Sequence, residues 1–478
     1  MKRKRFNLFI FLVSLIAVTG AAIAYSSQRG KAFIPGWMSP LSNPQALKSG
    51  PVKISGQLIQ NKILQGSAGT VNLALTLKAD DIIDSNKANF HNVDMVIVLD
   101  RSGSMKGSKI KNARAAVLNL LSNLSSKDRF ALITYSDGVS QVSKLLDVSD
   151  ANRKHMEALI RSVRAGGGTN LGAGLQTGIN LLLSASHNGN SGKVILISDG
   201  LANKGITSPQ VLGNMAGVAV EKEFAVSTLG VGIDFNEQLM TNIADKGAGN
   251  YYYLENPDAF AEVFQKEFFY TQITAVNGVS VHLSLPNGIS LINAAGYPIT
   301  VQNNHAVFHP GDLRSNQTRK LFLTLKVPSE RVGQFTIERI KVRYMYNGRP
   351  FEASLEDSFK IACVKDQRKV LSSIDKSTWT QKVIQEDYNR LKQEVAGDIK
   401  TGKKDDALRR IRNYYQKKAS INKTVASEEV NKNLDRDLKE LRQVVKDTFQ
   451  GAPSVVLQKQ KSNSKALQYE GYSGRRQK

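Results

Sequence analysis

A single cysteine, Cys363, stands in this chain of 478 residues, and that scarcity removes several architectures. No internal disulfide can form, and no thiolate cluster is available for zinc or iron–sulfur. A lone cysteine at the end of a β-rich segment reads as a small buried hydrophobe. Histidine is sparse too: His91, His155, His187, His282, His305 and His309 are the whole set, and none sits in a His-Glu-x-x-His arrangement. Gly-x-Ser-x-Gly is missing around Ser102 and Ser104, and Gly103 to Lys109 lacks the Gly-Lys-Ser/Thr ending of a phosphate-binding loop. With no base positioned beside its hydroxyls, the chain is not expected to be an enzyme.

What the chain does carry is a strand end rich in oxygen ligands. The apolar run Val93-Asp94-Met95-Val96-Ile97-Val98-Leu99 leads straight into Asp100-Arg101-Ser102-Gly103-Ser104. One carboxylate and two hydroxyls there suit a hard divalent cation, which takes oxygen ligands and keeps open positions for other oxygens. Downstream, Gly166-Gly167-Gly168-Thr169-Asn170 offers a third hydroxyl on a glycine loop, and the strand Lys193 to Ser198 delivers Asp199-Gly200. Three turns can therefore converge on one ion. Taken alone, Asp-x-Ser-x-Ser also fits helix N-capping; the Thr loop and the second strand-terminal Asp give it its specificity.

This set resembles the metal-ion-dependent adhesion site of the von Willebrand factor A family, where Asp-x-Ser-x-Ser, a Thr and an Asp lie on three loops of a doubly wound domain. Asp100, Ser102, Ser104, Thr169 and Asp199 match all five positions. The resemblance implies that Ser102, Ser104 and Thr169 bind the metal directly, and that Asp100 and Asp199 do so directly or through water. The implied cofactor is Mg²⁺, with Mn²⁺ or Ca²⁺ as alternatives, and the implied partner is a protein with an exposed Asp or Glu that completes the coordination. Rim loops such as Ser136 to Gly138 and Leu201 to Thr207 would then set specificity. In some members occupancy is coupled to a shift of the last helix, here Pro257 to Phe269.

Periodicity agrees with an α/β plan. Apolar runs at Phe130 to Tyr135, Val194 to Ile197, Ala225 to Val231 and Tyr251 to Leu254 alternate with helical patterns at Ile110 to Leu124, Arg153 to Val163, Leu171 to Leu183, Asn236 to Ala244 and Pro257 to Phe269. Such alternation indicates parallel βαβ units, whose ligands sit beyond the carboxyl ends of the strands. The expected domain spans 91 to 271.

On both sides the period falls to two. Val71, Leu73, Leu75 and Leu77 alternate with polar or small residues, as do Val279 to Leu285, Leu321 to Val327 and Ile340 to Tyr346, and Asn347-Gly348 signals a type I′ hairpin. Residues 50 to 90 are therefore expected to pair with 275 to 362 in an antiparallel β-sandwich, with the α/β domain inserted. From 370 to 450 the stripes of Ile384, Tyr388, Leu391 and Val395, of Ala407, Ile411 and Tyr414, and of Val430, Leu434, Leu438, Leu441 and Val445 predict a small helical unit. Residues 451 to 478, with Lys459, Lys461, Lys465, Arg475, Arg476 and Lys478 against Glu470, read as a disordered basic tail.

Lys2-Arg3-Lys4-Arg5 followed by the uncharged stretch Phe6 to Ser27, with Ala22-Ile23-Ala24, reads as a signal peptide or an amino-terminal membrane anchor over 1 to 27. The remainder is thus expected in the periplasm, at the cell surface or tethered outside the membrane. The net charge of +24 comes with no RNA-binding motif or zinc finger, so nucleic acid is not an expected partner. In an exported protein a basic surface fits anionic envelope polymers or head groups, or plain solubility. The layout loosely resembles inter-alpha-trypsin-inhibitor heavy chains. Besides metal-dependent adhesion, two further functions stay open: a metal-independent scaffold for envelope assembly, and a partner of a remodelling ATPase.

Overall fold

In the computed structural model, residues 50–82, 90–185 and 190–476 are described. The expected leader, 1 to 27, lies outside them. Among the described residues no helix is long and apolar enough to cross a membrane.

The strand Val93–Asp100 is buried along its whole length, because its residues face two cores in alternation. Met95, Ile97 and Leu99 join one core, and Val96 and Val98 the other. Each such side chain contributes roughly 1.5–3 kcal/mol on burial. Around this strand a sheet runs in the order Ala248–Leu254, Phe224–Val231, Ser191–Ser198, Val93–Asp100, Arg129–Tyr135, the neighbours pairing parallel. The short strands Val139–Gln141 and Leu146–Asp147 add antiparallel edges. Helices Ser108–Asn123, Asp150–Ser162 and Phe260–Gln272 cover one face. Helices Leu171–Leu183, Pro209–Glu221 and Glu237–Lys246 cover the other. The sheet is doubly wound, and Asp100 and Asp199 fall at the carboxyl ends of neighbouring strands.

This unit is inserted into a sandwich. Strand Thr70–Ala79 pairs antiparallel with the whole of Thr318–Lys326, from Thr70 opposite Lys326 to Lys78 opposite Thr318. Chain entry and exit lie side by side, since the His91 amide donates to the Gln272 carbonyl at 3.1 Å. The four-stranded sheet holding Thr70–Ala79 faces an eight-stranded sheet built on Thr274–Ser284 and Gly333–Tyr346. Val71, Leu73, Leu75 and Leu77 share one core with Val281, Leu283, Ile340, Val342 and Ile361. Asn347 and Gly348 both take positive φ, 49° and 69°, as a type I′ turn requires. Cys363 is buried in the same core.

The carboxyl-terminal helices pack against the outer face of the four-stranded sheet, where Ala74 and Phe322 meet Trp379, Val383, Leu391, Ile411 and Leu441. Two helices carry a π turn, at Val383–Asp387 and Asn433–Asp437. The residues around these turns recur at one fixed spacing: Lys382 and Lys432, Asp387 and Asp437, Leu391 and Leu441, Gln393 and Gln443, Val395 and Val445.

One expectation is overturned. The segment read as a disordered tail beyond 451 is the helix Pro453–Arg476. Its inward stripe is Ser464, Lys465, Leu467, Gly471, Tyr472 and Arg476, mostly polar or small, so hydrophobic periodicity does not register it. Its cations are matched inside the fold: Lys465 with Glu237 and Arg476 with Asp245, each at 2.8 Å, and Arg475 with Glu386 at 2.7 Å. The helix is ordered by those partners rather than by an apolar face. Lys478 lies outside the described residues.

Candidate metal centre

Asp100 ends the central strand fully buried. Its Oδ1 accepts from the Ser102 amide at 2.8 Å and its Oδ2 from the Ser198 hydroxyl at 2.9 Å. Burial pushes this carboxyl up, the Ser102 and Ser198 hydrogen bonds oppose the rise, and the nearby Asp199 carboxylate adds to it. The Ser102 bond tightens the turn so that Ser102 and Ser104 point the same way, their hydroxyls 3.0 Å apart. Ser104 donates to Asp199 Oδ1 at 2.7 Å. Two turns are thus joined by side chains alone.

The third turn is tied in through backbone. Gly103 donates to the Gly167 carbonyl at 2.9 Å, and Gly166 to the Arg101 carbonyl at 2.7 Å. Gly167 has φ of +85°, a backbone conformation that favours glycine. Thr169 is buried, its amide donating to Asn203 Oδ1 at 3.0 Å. The next residue, Asn170, caps the helix Leu171–Leu183 by accepting from the Ala173 amide. A point beside Gly200, where a Cβ would stand, is 3.4 Å from Ser104 Oγ and 3.9 Å from Thr169 Oγ1. All three turns therefore present their oxygens at one place.

Lys109, on the first turn of Ser108–Asn123, has its ammonium 2.5 Å from Asp199 Oδ2. Sequence reasoning missed it, together with Ser198 and Asn203. A signal was available for Lys109, because a cation at a helix amino terminus opposes the helix dipole and calls for a nearby anion. Ser198 and Asn203 have none; only the fold brings them in.

The donor set fits a hard cation. It consists of hydroxyls and carboxylates, with Asp199 already drawing a positive charge to one of its oxygens. Among the described residues no group of three His, Cys, Asp or Glu could hold a metal, so any such site here depends on the hydroxyls. Ser104, Lys109, Thr169 and Asp199 open into a cleft of about 760 Å³ whose lining includes no histidine. Its far side is formed by residues 233–238, Lys400, and Leu457, Gln460, Lys461, Ser464 and Lys465. Glu237 there is contacted by Lys400 and Lys465, and Asp234 by Lys461 at 2.8 Å. At the rim, Lys204 pairs with Asp137 and holds its carboxyl below the usual range.

The von Willebrand factor type A domain profile matches residues 94–266. An uncharacterized protein of Synechocystis sp. is 26% identical over 301 residues, covering 60% of this chain and 69% of that protein. Human inter-alpha-trypsin inhibitor heavy chain H1 is 26% identical over 275 residues, 56% of this chain but only 28% of that protein. Among solved structures, a von Willebrand factor type A protein from Catenulispora acidiphila superposes with a TM-score of 0.65 at 17% identity, covering 87% of this chain and 96% of that one. That likeness extends well beyond the matched segment and shows a shared fold. Matched profile, doubly wound sheet and strand-end oxygen cluster agree: residues 94–266 are a von Willebrand factor type A domain.

Proposed function

We propose that this chain is an exported binding module that captures an acidic group of a protein partner through a divalent cation at the Asp100 turn. The observation that carries the reading is the meeting of the three turns, with Ser102, Ser104 and Asp199 linked at 3.0 and 2.7 Å and Thr169 facing the same point. Ser102, Ser104 and Thr169 would hold the ion with neutral oxygens, while Asp100, braced by Ser102 and Ser198, and Asp199 supply charge. Bound there, a cation such as Mg²⁺ supplies an electrophilic position for a partner carboxylate, forming a charge-assisted contact shielded from water. Binding rather than catalysis is favoured because both Asp100 oxygens already accept hydrogen bonds and no histidine lines the cleft. Export is supported by the basic and apolar amino-terminal stretch.

The test is calorimetric titration of chelator-stripped protein with Mg²⁺. Wild type should take one ion, and Ser104→Ala and Thr169→Ala should each weaken it by about tenfold or more. Proteins retained by the immobilised chain in Mg²⁺ should elute with EDTA, and Asp100→Ala should retain none. Full retention by Asp100→Ala in chelator would sink the proposal. A second reading, a metal-independent envelope scaffold, draws on Lys109, whose ammonium already balances Asp199 without any metal; retention unchanged by EDTA would select it.

A further inference from the structure

We propose that the ligand cleft is built jointly by the von Willebrand factor A domain and the carboxyl-terminal helix, and that it accepts a partner polypeptide segment in which an acidic residue has an apolar neighbour. This rests on the metal-dependent reading above and names the partner chemistry of that site. One wall is the oxygen cluster with Leu201; the other is Pro453–Arg476, contributing Leu457, Gln460, Lys461, Ser464 and Lys465. Those positions recur at three- and four-residue steps, so a single helix face runs along the cleft for two turns.

Two features of that face indicate the occupant. Leu457 is 57% exposed and Leu201 is 60% exposed, although both line the same cleft beside the oxygen cluster. An apolar side chain on the ligand would cover them. The second feature is charge: on the helix side three ammonium groups, Lys400, Lys461 and Lys465, face two carboxylates, Glu237 and Asp234. Lys400 and Lys461 remain about half exposed, so an acidic segment entering the cleft meets a net positive wall. A cleft of about 760 Å³ lies within the roughly 300–1,000 Å³ of ordinary ligand sites, enough for a few residues of extended chain.

The helix is a fixed wall rather than a displaceable plug. Tyr472 donates to Asp245 at 2.8 Å, Arg476 pairs with the same carboxylate at 2.8 Å, and Lys465 donates to the Phe235 carbonyl at 2.7 Å. Tyr472 also meets Tyr251 edge to face, with centroids 5.3 Å apart. The cleft is thus preformed, which spares the ordering cost on binding.

A random displayed-peptide library is panned on the full chain in Mg²⁺ and eluted with EDTA, beside the variants Leu457→Asp and Lys461→Glu. Both replaced side chains are about half exposed, so both variants should fold, and calorimetry should show Mg²⁺ affinity like wild type. Wild type should enrich Asp or Glu with Leu, Ile, Val or Phe within a few positions. Leu457→Asp should lose the apolar preference, and each variant should bind the selected peptide about tenfold more weakly. Acidic enrichment with no apolar neighbour, or a preference that Leu457→Asp leaves intact, overturns this inference alone. Normal Mg²⁺ binding with no acidic enrichment at all would overturn the reading on which it rests.

Discussion

Replacing Lys109 by Met removes a positive charge from the one place where a divalent ion is expected to settle. The ammonium stands 2.5 Å from Asp199 Oδ2, with the lysine side chain 27% exposed and the aspartate fully buried. Two unit charges about 4 Å apart interact by roughly 4 kcal/mol at an effective dielectric of about 20. Partial exposure of Lys109 lets it swing aside and screens it, so a net penalty on the incoming ion of about 1–3 kcal/mol is reasonable. Lys109→Met should therefore tighten Mg²⁺ binding by about 5- to 150-fold, measured by calorimetry on chelator-stripped protein.

The same change has an opposite effect on the metal-free fold. Among the described residues, Asp199 then keeps only the Ser104 hydrogen bond and is left buried without a counter-charge. Stability in EDTA should drop by about 1–3 kcal/mol, and Mg²⁺ should restore it by mass action, giving a larger Mg²⁺-dependent rise in melting temperature than in wild type. Should Lys109→Met bind Mg²⁺ no better than wild type, or worse, Lys109 orients Asp199 for the ion instead of competing with it, and this reasoning fails.

Gly167→Ala should weaken Mg²⁺ binding by about tenfold without deleting a ligand, since a φ of +85° strains alanine and so disturbs the turn that presents Thr169; calorimetry with unchanged affinity would refute it. Glu267→Gln should destabilise the domain by about 3–5 kcal/mol in urea unfolding, because this fully buried carboxylate pairs with Lys193 at 3.0 Å and accepts from Ser227 and Tyr252, both at 2.6 Å. Burial raises the Glu267 carboxyl, but Lys193 and the hydrogen bonds prevail and bring it from 4.5 down to about 2. Its contribution is hence present above pH 4.5 and lost as pH falls towards 2, and the gap between Glu267→Gln and wild type should narrow over that window. In the sandwich, burial lowers His282 from 6.5 to about 3 and His309 from 6.5 to about 4. The unfolded chain binds those protons first, so melting temperature should fall as pH drops from 6.5 towards 4, and His282→Gln should flatten that slope.

The convergence of the turns that carry Asp100, Ser102, Ser104, Thr169 and Asp199 was legible because each turn follows a strong local signal. Asp100 and Asp199 end continuous apolar runs, which a doubly wound sheet must bury on both faces, and Thr169 follows a glycine run in which Gly167 takes a φ of +85° that other residues resist. The insertion was legible for a similar reason: Val71 to Leu77 alternates as Leu321 to Leu325 does, and one-faced strands need partners of their own kind. Lys109, in the first turn of an obvious helix, carried a charge signal but escaped a reading by hydrophobic pattern, which is blind to a charge that answers another charge ninety residues away in the chain. The recurrence of Lys382, Asp387, Leu391, Gln393 and Val395 at Lys432, Asp437, Leu441, Gln443 and Val445 was written in the sequence too. It is hard to see in helices whose identities are so widely spaced.

The carboxyl-terminal helix shows why the missed part matters for specificity. Period-based reading asks for an apolar stripe, and Ser464, Lys465, Leu467, Gly471, Tyr472 and Arg476 do not supply one. Gly471 is there because a Cβ would lie 2.4 Å from the Asn389 carbonyl oxygen, so close packing against Tyr388–Lys400 needs its absence. Lys465 and Arg476 are buried because Glu237 and Asp245, on a helix of the von Willebrand factor A domain, await them. Neither side of this seam makes sense alone: buried acids on one unit and a basic, weakly apolar segment on the other each look like solvent-facing sequence. Joined, they fix a wall beside the Asp199 turn at about 2.8 Å per ion pair. On the binding reading proposed above, the oxygen cluster would set what kind of group can be held, whereas the seam, built from residues that the cluster's own motif does not mention, would set which partner can bring it there.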